Sequence, residues 1–265
     1  MKLQEIIQHL EHHAPLEYQE SYDNSGLIVG HPDMDITGAI ISLDATESVV
    51  DEAIEAGFNL IIAHHPIVFS GLKRFTGQNY VQRTIIKAIR NNIAIYAIHT
   101  NLDNVIDEGV NNKIAERIGL SRCEALLPHP GALIKDRPRG TGLIGWTQHP
   151  IEWTFFLEDL KQKMQVHVIR YTQPVKTTIH KVAVCGGSGS FLLNQAIAME
   201  CDVFITADFK YHEFFDANDK IMIADIGHYE SEQFTINLIK DLIIKKISNF
   251  ALRSTKVITN PINYL

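Results

Sequence analysis

Short apolar runs alternate with amphipathic stretches along most of the chain. Leu3, Ile6, Ile7 and Leu10 recur at helical spacing, with Glu5 and Glu11 among them, and predict an amphipathic helix over 2–13. Turn-forming residues at 20–26 (ESYDNSG) lead into a short strand at 27–29. Three apolar runs follow, at 39–43, 59–63 and 93–98. Each is too short for a core helix and is unbroken by polar residues, the pattern of a strand buried on both faces of a sheet. Helical periodicity fills the gaps at 47–56, where Gly57 supplies the stop, at 79–91 through Val81, Ile85, Ile86 and Ile89, and at about 108–118 ahead of Gly119. The order is α-β-(βα)3, which implies a largely parallel sheet covered by helices on both sides.

The scheme then recurs. Helices are expected at 151–164, 190–200, about 209–218 and 229–247, and strands at 166–171, 181–185, 202–206 and 221–225. At a shift of 143 places, VVDEAIEAGFNLIIAHH (49–65) lies without a gap on LLNQAIAMECDVFITAD (192–208). Ala53 meets Ala196, Ile54 meets Ile197 and LIIA meets VFIT, so the chain reads as an internal duplication. The copies diverge where His64 and His65 fall on Ala207 and Asp208. The fold class is α/β, as two α-β-(βα)3 repeats in three layers with mostly parallel or mixed sheets. The first repeat is 1–127 and the second 143–265, with exchange of elements between the two lobes left open. Pro128, Pro130 and Pro138 with Gly131, Gly140 and Gly142 mark 128–142 as the linker. A last strand near 256–259 has no counterpart in the first half and could join either sheet.

Composition narrows the class further. At 265 residues, 45 per cent hydrophobic and 21 per cent charged, the chain is an ordinary soluble globular sequence. A formal charge of −7 argues against nucleic-acid phosphate as the main partner, because such proteins carry a basic face. Cys123, Cys185 and Cys201 are odd in number and far apart, so neither a disulfide nor a CxxC metal framework is implied, and a reducing cytoplasm is expected. The first helix lacks the basic start and apolar centre of a signal peptide, and no apolar run reaches the roughly 20 residues that cross a bilayer.

Chemistry gathers at strand ends. The run at 59–63 stops at His64 and His65, and Pro66 forbids a further ladder bond. Ligands bind at that carboxyl edge in open α/β sheets. Adjacent side chains on a strand point apart, which would suit two neighbouring ions, although the doublet also fits a pair of ordinary loop histidines. HTNLD (99–103) and GHYESE (227–232) follow two other strands. His228 and Glu232 are four apart and share a helical face, within reach of one ion; singly, Glu232 also reads as a helix cap. Imidazoles and carboxylates at one sheet edge are costly to desolvate unless a cation compensates them. Three histidine nitrogens with Asp and Glu oxygens suit zinc, iron or manganese better than calcium or magnesium. Five ligands are few for two ions unless one carboxylate bridges. Two divalent ions less two carboxylates leave about two positive charges, which would acidify bound water and attract an anionic substrate.

The motifs YDNSGL (22–27), SLDAT (42–46), AHHPIVFSGLKRF (63–75), HTNLD (99–103), CGGSG (185–189), TADFKYHE (206–213) and GHYESE (227–232) resemble those of the NIF-three-like family, the GTP cyclohydrolase I type 2 homologues. The resemblance covers nearly the whole chain. It implies two intertwined α/β repeats and a dinuclear centre held by His64, His65, Asp103, His228 and Glu232, with Glu232 as the bridging carboxylate. It also implies ring-shaped homohexamers with the metal sites facing inward. Tyr22 stands where many relatives have Trp, and Ala207 replaces a common Gly; neither is a ligand position. The short linker leaves no room for the regulatory-type domain of longer members.

Other candidates are weaker. Asp208 and His212 repeat the four-residue spacing and could orient a ligand or move a proton, as could His99; a helix-start hydrogen bond is the plainer use. Gly186–Gly189 could hold an anion on backbone N–H groups or simply allow close packing. Lys73, Arg74 and Lys210 could meet an anionic substrate or be solvated loop charges. The leading function is a metal-dependent hydrolase acting on a nucleotide or phosphorylated metabolite, with Glu232, His99, Asp208 and His212 as catalytic candidates. The alternative is a non-catalytic metal-binding or protein-interaction module; a DNA-encircling ring runs against the net charge.

Overall fold

The computed structural model describes residues 1–129 and 139–265. Along the chain these form α1 (Leu3–His13), β1 (Gly26–Val29), β2 (Ala39–Ser42), α2 (Glu47–Ala56), β3 (Leu60–Ala63), α3 (Tyr80–Arg90), β4 (Ala94–Ala97), α4 (Thr100–Asp103), α5 (Val110–Ile118) and β5 (Ser121–Pro128). Then come β6 (Gly140–Glu152), α6 (Trp153–Lys163), β7 (Arg170–Tyr171), β8 (Thr178–Ser188), α7 (Leu193–Ala198), β9 (Val203–Ala207), β10 (Met222–Asp225), α8 (His228–Glu232), α9 (Thr235–Lys246) and β11 (Leu252–Ser254). The chain divides into two compact units, Met1–Leu102 with Thr235–Pro261, and Asp103–Phe234 with Ile262–Leu265.

In the first unit the strand order is β1-β4-β3-β2-β11. β2, β3, β4 and β11 run parallel, and β1 closes the edge antiparallel to β4. Register aligns Ile40, Ile61 and Ile95 on one face, where they pack with Val49, Val50 and Ala53 of α2 and Ile85 and Ala88 of α3. The alternate set, Ile41, Ile62 and Tyr96, faces the side where α9 packs on β2 and α1 packs on α9. The Tyr96 hydroxyl there donates to Glu11 of α1. Both sets are fully buried, as the unbroken apolar runs require. Thr46 caps α2 by accepting from Val49 N, and Gly57 ends it in the left-handed region at φ 69°.

The second unit has the order β5-β6-β8-β9-β10-β7, with β8, β9 and β10 parallel and the outer strands antiparallel to their neighbours. Ile144, Ala183, Phe204 and Ile223 share a face that packs on Leu192, Leu193 and Ala196. The other face carries α5, α6 and α8. β3 and β9 stand 143 places apart, and each is a central strand parallel to both neighbours. The sequence duplication therefore has a structural counterpart in the mixed α/β fold.

Several elements differ from the periodicity reading. β5 and β6 form an antiparallel pair that the pattern did not announce. Of the 128–142 linker, residues 130–138 lie outside the described residues, while Pro128 ends β5 and residues 140–142 open β6. The strand at 166–171 shrinks to β7, and the helix at 209–218 is a 3-10 turn, Tyr211–Ala217. The long helix at 229–247 is broken into α8 and α9. Gln233 pins the break by donating to Met164 O and Glu230 O, and Arg117 stacks over the Phe234 ring. The last strand lies at Leu252–Ser254 rather than 256–259 and pairs with β2. All three cysteines are free, and among the described residues no helix is long and apolar enough to cross a membrane.

Candidate metal centre

The first unit carries three histidines at the carboxyl ends of adjacent parallel strands. His64 and His65 follow Ala63 directly, and their N–H groups still donate to Ser42 O and Leu43 O, at 3.1 and 2.8 Å. The doublet thus rides on a rigid strand end. His99 follows β4, and its N–H donates to Asn101 Oδ1 at 2.9 Å. One ring nitrogen from each of His64, His65 and His99 lies within 4.8 Å of the other two. The rings of the doublet do not point apart as pleating would direct; their centroids are 4.9 Å apart, because the backbone bends out of the strand at residue 64.

Each of these imidazoles is braced through Nδ1. His64 donates to Ile98 O, His65 to Asp44 Oδ1 and His99 to Asp23 Oδ1, all at 2.8 Å. A carbonyl or carboxylate oxygen can only accept, so Nδ1 carries a proton, and in the neutral ring Nε2 then has the lone pair, the arrangement that metal-binding histidines adopt. Asp23 is itself fixed by the Ser25 hydroxyl at 2.8 Å and by Thr100 N and Oγ1 at 3.0 and 2.5 Å. Burial would raise its pKa, but the His99 hydrogen bond and charge, with the two hydroxyls, hold it well below the usual carboxylate range. Asp44 behaves alike: burial is outweighed by His65 and the Thr259 hydroxyl, and its pKa is lowered.

The second unit has a cluster of its own, with carboxylates and an imidazole. After β10 the chain turns at Gly227, at φ 91°, and α8 begins with His228. That backbone conformation favours glycine, and a Cβ at residue 227 would also stand 2.3 Å from Glu230 Oε2, which would have to move. His228 Nδ1 pairs with Asp208 Oδ2 at 2.7 Å, and Nε2 lies 3.2 Å from Glu232 Oε2 across one helical turn. Burial would lower the His228 pKa, yet the two carboxylates overturn it and push it up to about 11. The pocket around this ring favours positive charge. Glu232 ends α8, so it caps no helix start, and its side chain is buried.

The glycine motif makes room for Glu232. Gly187 has φ 62°, and a Cβ there would lie 2.4 Å from Glu232 Oε1. Gly186 N donates to Asn111 Oδ1 and Gly187 N to Ser231 Oγ, each at 2.9 Å, so these amides serve the protein and not a phosphate. Asn111 also donates to Asp103 O at 3.1 Å, tying that residue to the end of β8. The Cys185 thiol beneath is pushed up first by burial, then by the charges of Asp103 and Glu232, which places both carboxylates in one neighbourhood.

The remaining candidates are dispersed. His212 is exposed, with its ring stacked on Phe215 and edge-on to Tyr211. Lys73, Arg74 and Lys210 are exposed. Residue-level reasoning gave no role to Asp23, Asp44 or Asn111. The first two lie in YDNSGL and SLDAT, and their signal was an acid beside a strand end with no helix to cap.

Parallel strands that end in braced histidines in the first unit, and a helix turn bearing His228 and Glu232 in the second, define an α/β protein with candidate metal-binding clusters. The chain belongs to the Duf34/NIF3 (NGG1p interacting factor 3) family, whose model matches residues 1–261. It is 32% identical to a GTP cyclohydrolase 1 type 2 homolog of Clostridium acetobutylicum, over 88% of this chain and 85% of that one. A Campylobacter jejuni protein of the same name is 30% identical over the full length of both. Among solved structures, Staphylococcus aureus protein SA1388 superposes with a TM-score of 0.89 at 28% identity, covering 100% of this chain and 99% of the other.

Proposed function

We propose that the chain binds two divalent ions, zinc, iron or manganese, through His64, His65, Asp103, His228 and Glu232, and acts as a metal-dependent hydrolase on a nucleotide or another phosphorylated metabolite. The observation that carries the reading is the common bracing of four imidazoles. His64, His65, His99 and His228 each hold Nδ1 against an oxygen acceptor, the bracing that fixes the direction of a metal-binding imidazole. Mixed imidazole and carboxylate donors fit those metals. Bound ions would supply the positive charge that acidifies water and draws an anionic substrate.

The chain's own residues then have distinct tasks. Asp44 and Asp208 orient His65 and His228, and Glu232 would be a carboxylate that holds the ions. His99, held by buried Asp23, is the group best placed to take or give a proton, with Asp208 and His212 as further candidates. The names of the relatives support a nucleotide as first substrate to try. The same family reading carries a cytoplasmic homohexamer, checked by the mass of the native particle.

The test is elemental analysis of the purified chain, followed by a turnover screen of nucleotides with each metal. Glu232→Gln is expected to lose both ions and all hydrolysis. Turnover in a metal-free variant would sink the hydrolase mechanism, and a wild-type chain that takes up no metal would sink the whole reading. Tight metal binding without turnover on any phosphorylated compound would favour the non-catalytic alternative.

A further inference from the structure

We infer that Thr259 is a positioning residue for the ion at His65, acting through Asp44; this rests on the metal-binding reading above. The segment after β11 is held at successive points. Thr255 N donates to Ile41 O at 2.8 Å, prolonging the pairing with β2. Glu52 of α2 then clamps the chain, accepting from the Thr255 hydroxyl and, at 2.9 Å, from Lys256 N. Val257 N turns back on Thr255 Oγ1 at 3.0 Å, and its side chain packs against the α2–α3 core. These contacts deliver Thr259, whose hydroxyl donates to Asp44 Oδ2 at 2.6 Å.

Asp44 therefore has both oxygens assigned: Oδ2 to Thr259 and Oδ1 to His65 Nδ1–H, at 2.8 Å. The terminal torsion of an aspartate is broad and nearly two-fold, so one hydrogen bond leaves the carboxylate free to swing. The second bond stops that swing and holds the oxygen that sets the ring's tautomer and direction. A mere latch for the segment could end on any surface acceptor; this one ends on the carboxylate that orients a candidate ligand. Loss of an outer partner of a metal-binding histidine costs roughly 10–100-fold in metal affinity. Thr259 acts one step further out, on a carboxylate that water can reach, so we expect about 3–10-fold.

The full-length chain is titrated with zinc or manganese alone, against a chromophoric chelator, for wild type, Thr259→Val and Thr259→Ser. Imidazole nitrogen NMR of the metal-free proteins reads the His65 Nδ1–H signal in parallel. Thr259→Val should weaken one of the two ions about 3–10-fold and shift or broaden that signal, whereas Thr259→Ser should stay within about twofold of wild type. Wild-type affinity and an unchanged His65 signal in Thr259→Val would overturn the inference, even if its melting temperature fell, because Thr259 would then only fasten the segment. If Thr259→Val fails to fold, Thr259→Ala takes its place under the same criteria. A wild-type chain that binds no metal would defeat the parent reading instead, and the metal-free NMR comparison would still decide whether Thr259 positions His65.

Discussion

Gly187 sits where backbone and site constrain one another. Its φ of 62° already disfavours a side chain, and a methyl group there would meet Glu232 Oε1 at 2.4 Å. Replacing glycine at positive φ costs about 1 kcal/mol in conformation alone, and the carboxylate must also move. Gly187→Ala is therefore expected to lower the melting temperature by several degrees and metal affinity by about tenfold or more, since ligand placement within about half an ångström matters. Calorimetry and metal titration of the variant check this; an alanine chain that binds like wild type would show that Glu232 is not required where it stands. At this scale the ligand-type residues were legible because His64 and His65 stop an apolar strand and His228 and Glu232 are spaced one helical turn apart. Their braces were not. Asp44 reaches His65 from 21 positions away and Thr259 reaches Asp44 from 215, and no local spacing encodes such pairs.

Strands and helices show which signals are local. β2, β3 and β4 were expected within a residue or two because both of their faces are buried, which forces an unbroken apolar run. β5 escaped because most of it is exposed, so Ser121–Pro128 carries no such run. The break between α8 and α9 escaped because the apolar period continues through it, while the interruption comes from Met164 and Arg117. The entry to β8 depends on a similar distant contact. Asp202 accepts from His180 N and Lys181 N, both at 2.8 Å, and pairs with Lys176 at 2.5 Å. Burial would raise its pKa, but Lys176 and the two N–H groups lower it below the ordinary 3.8. A depressed folded pKa stabilises the protein above the unfolded value, and that contribution is lost as pH falls through the folded one. Asp202→Asn should cost about 1 kcal/mol at pH 7, mostly through the backbone bonds, because the Lys176 side chain is largely exposed. The difference between variant and wild type should close below about pH 4 in urea melts; a constant gap down to pH 2 would assign the effect to packing.

For the molecule as a whole, the metal binding proposed above would be linked to folding. Native donors that the unfolded chain lacks make any bound ion a stabiliser, by about 2.7 kcal/mol at a hundredfold excess over Kd. For a chain of this size that is a rise of roughly 5–10 °C in melting temperature. Zinc or manganese added to chelator-treated protein should produce it, and Glu232→Gln should lose most of it. An equal rise in both proteins would place the stabilising ion elsewhere. The segment Thr235–Pro261 belongs to the first unit and Ile262–Leu265 to the second. Deleting residues 262–265 is thus expected to leave β11 and Thr259 in place and Thr259–Asp44 intact, which amide exchange along β2 would register.

The chain by itself determined its class and its repeated α/β plan, because burial on both faces and helical amphipathicity leave their period in the sequence. It also announced the histidine doublet and the His228–Glu232 pair, since those depend on one strand end and one helical turn. Only the tertiary structure decided that β11 joins the first sheet, that β5 and β6 pair, and which partners Asp23, Asp44, Asp208 and Thr259 meet. Those outcomes hang on which surfaces remain uncovered and which donors lack acceptors once the strands have stacked, and that is a property of the assembled sheets.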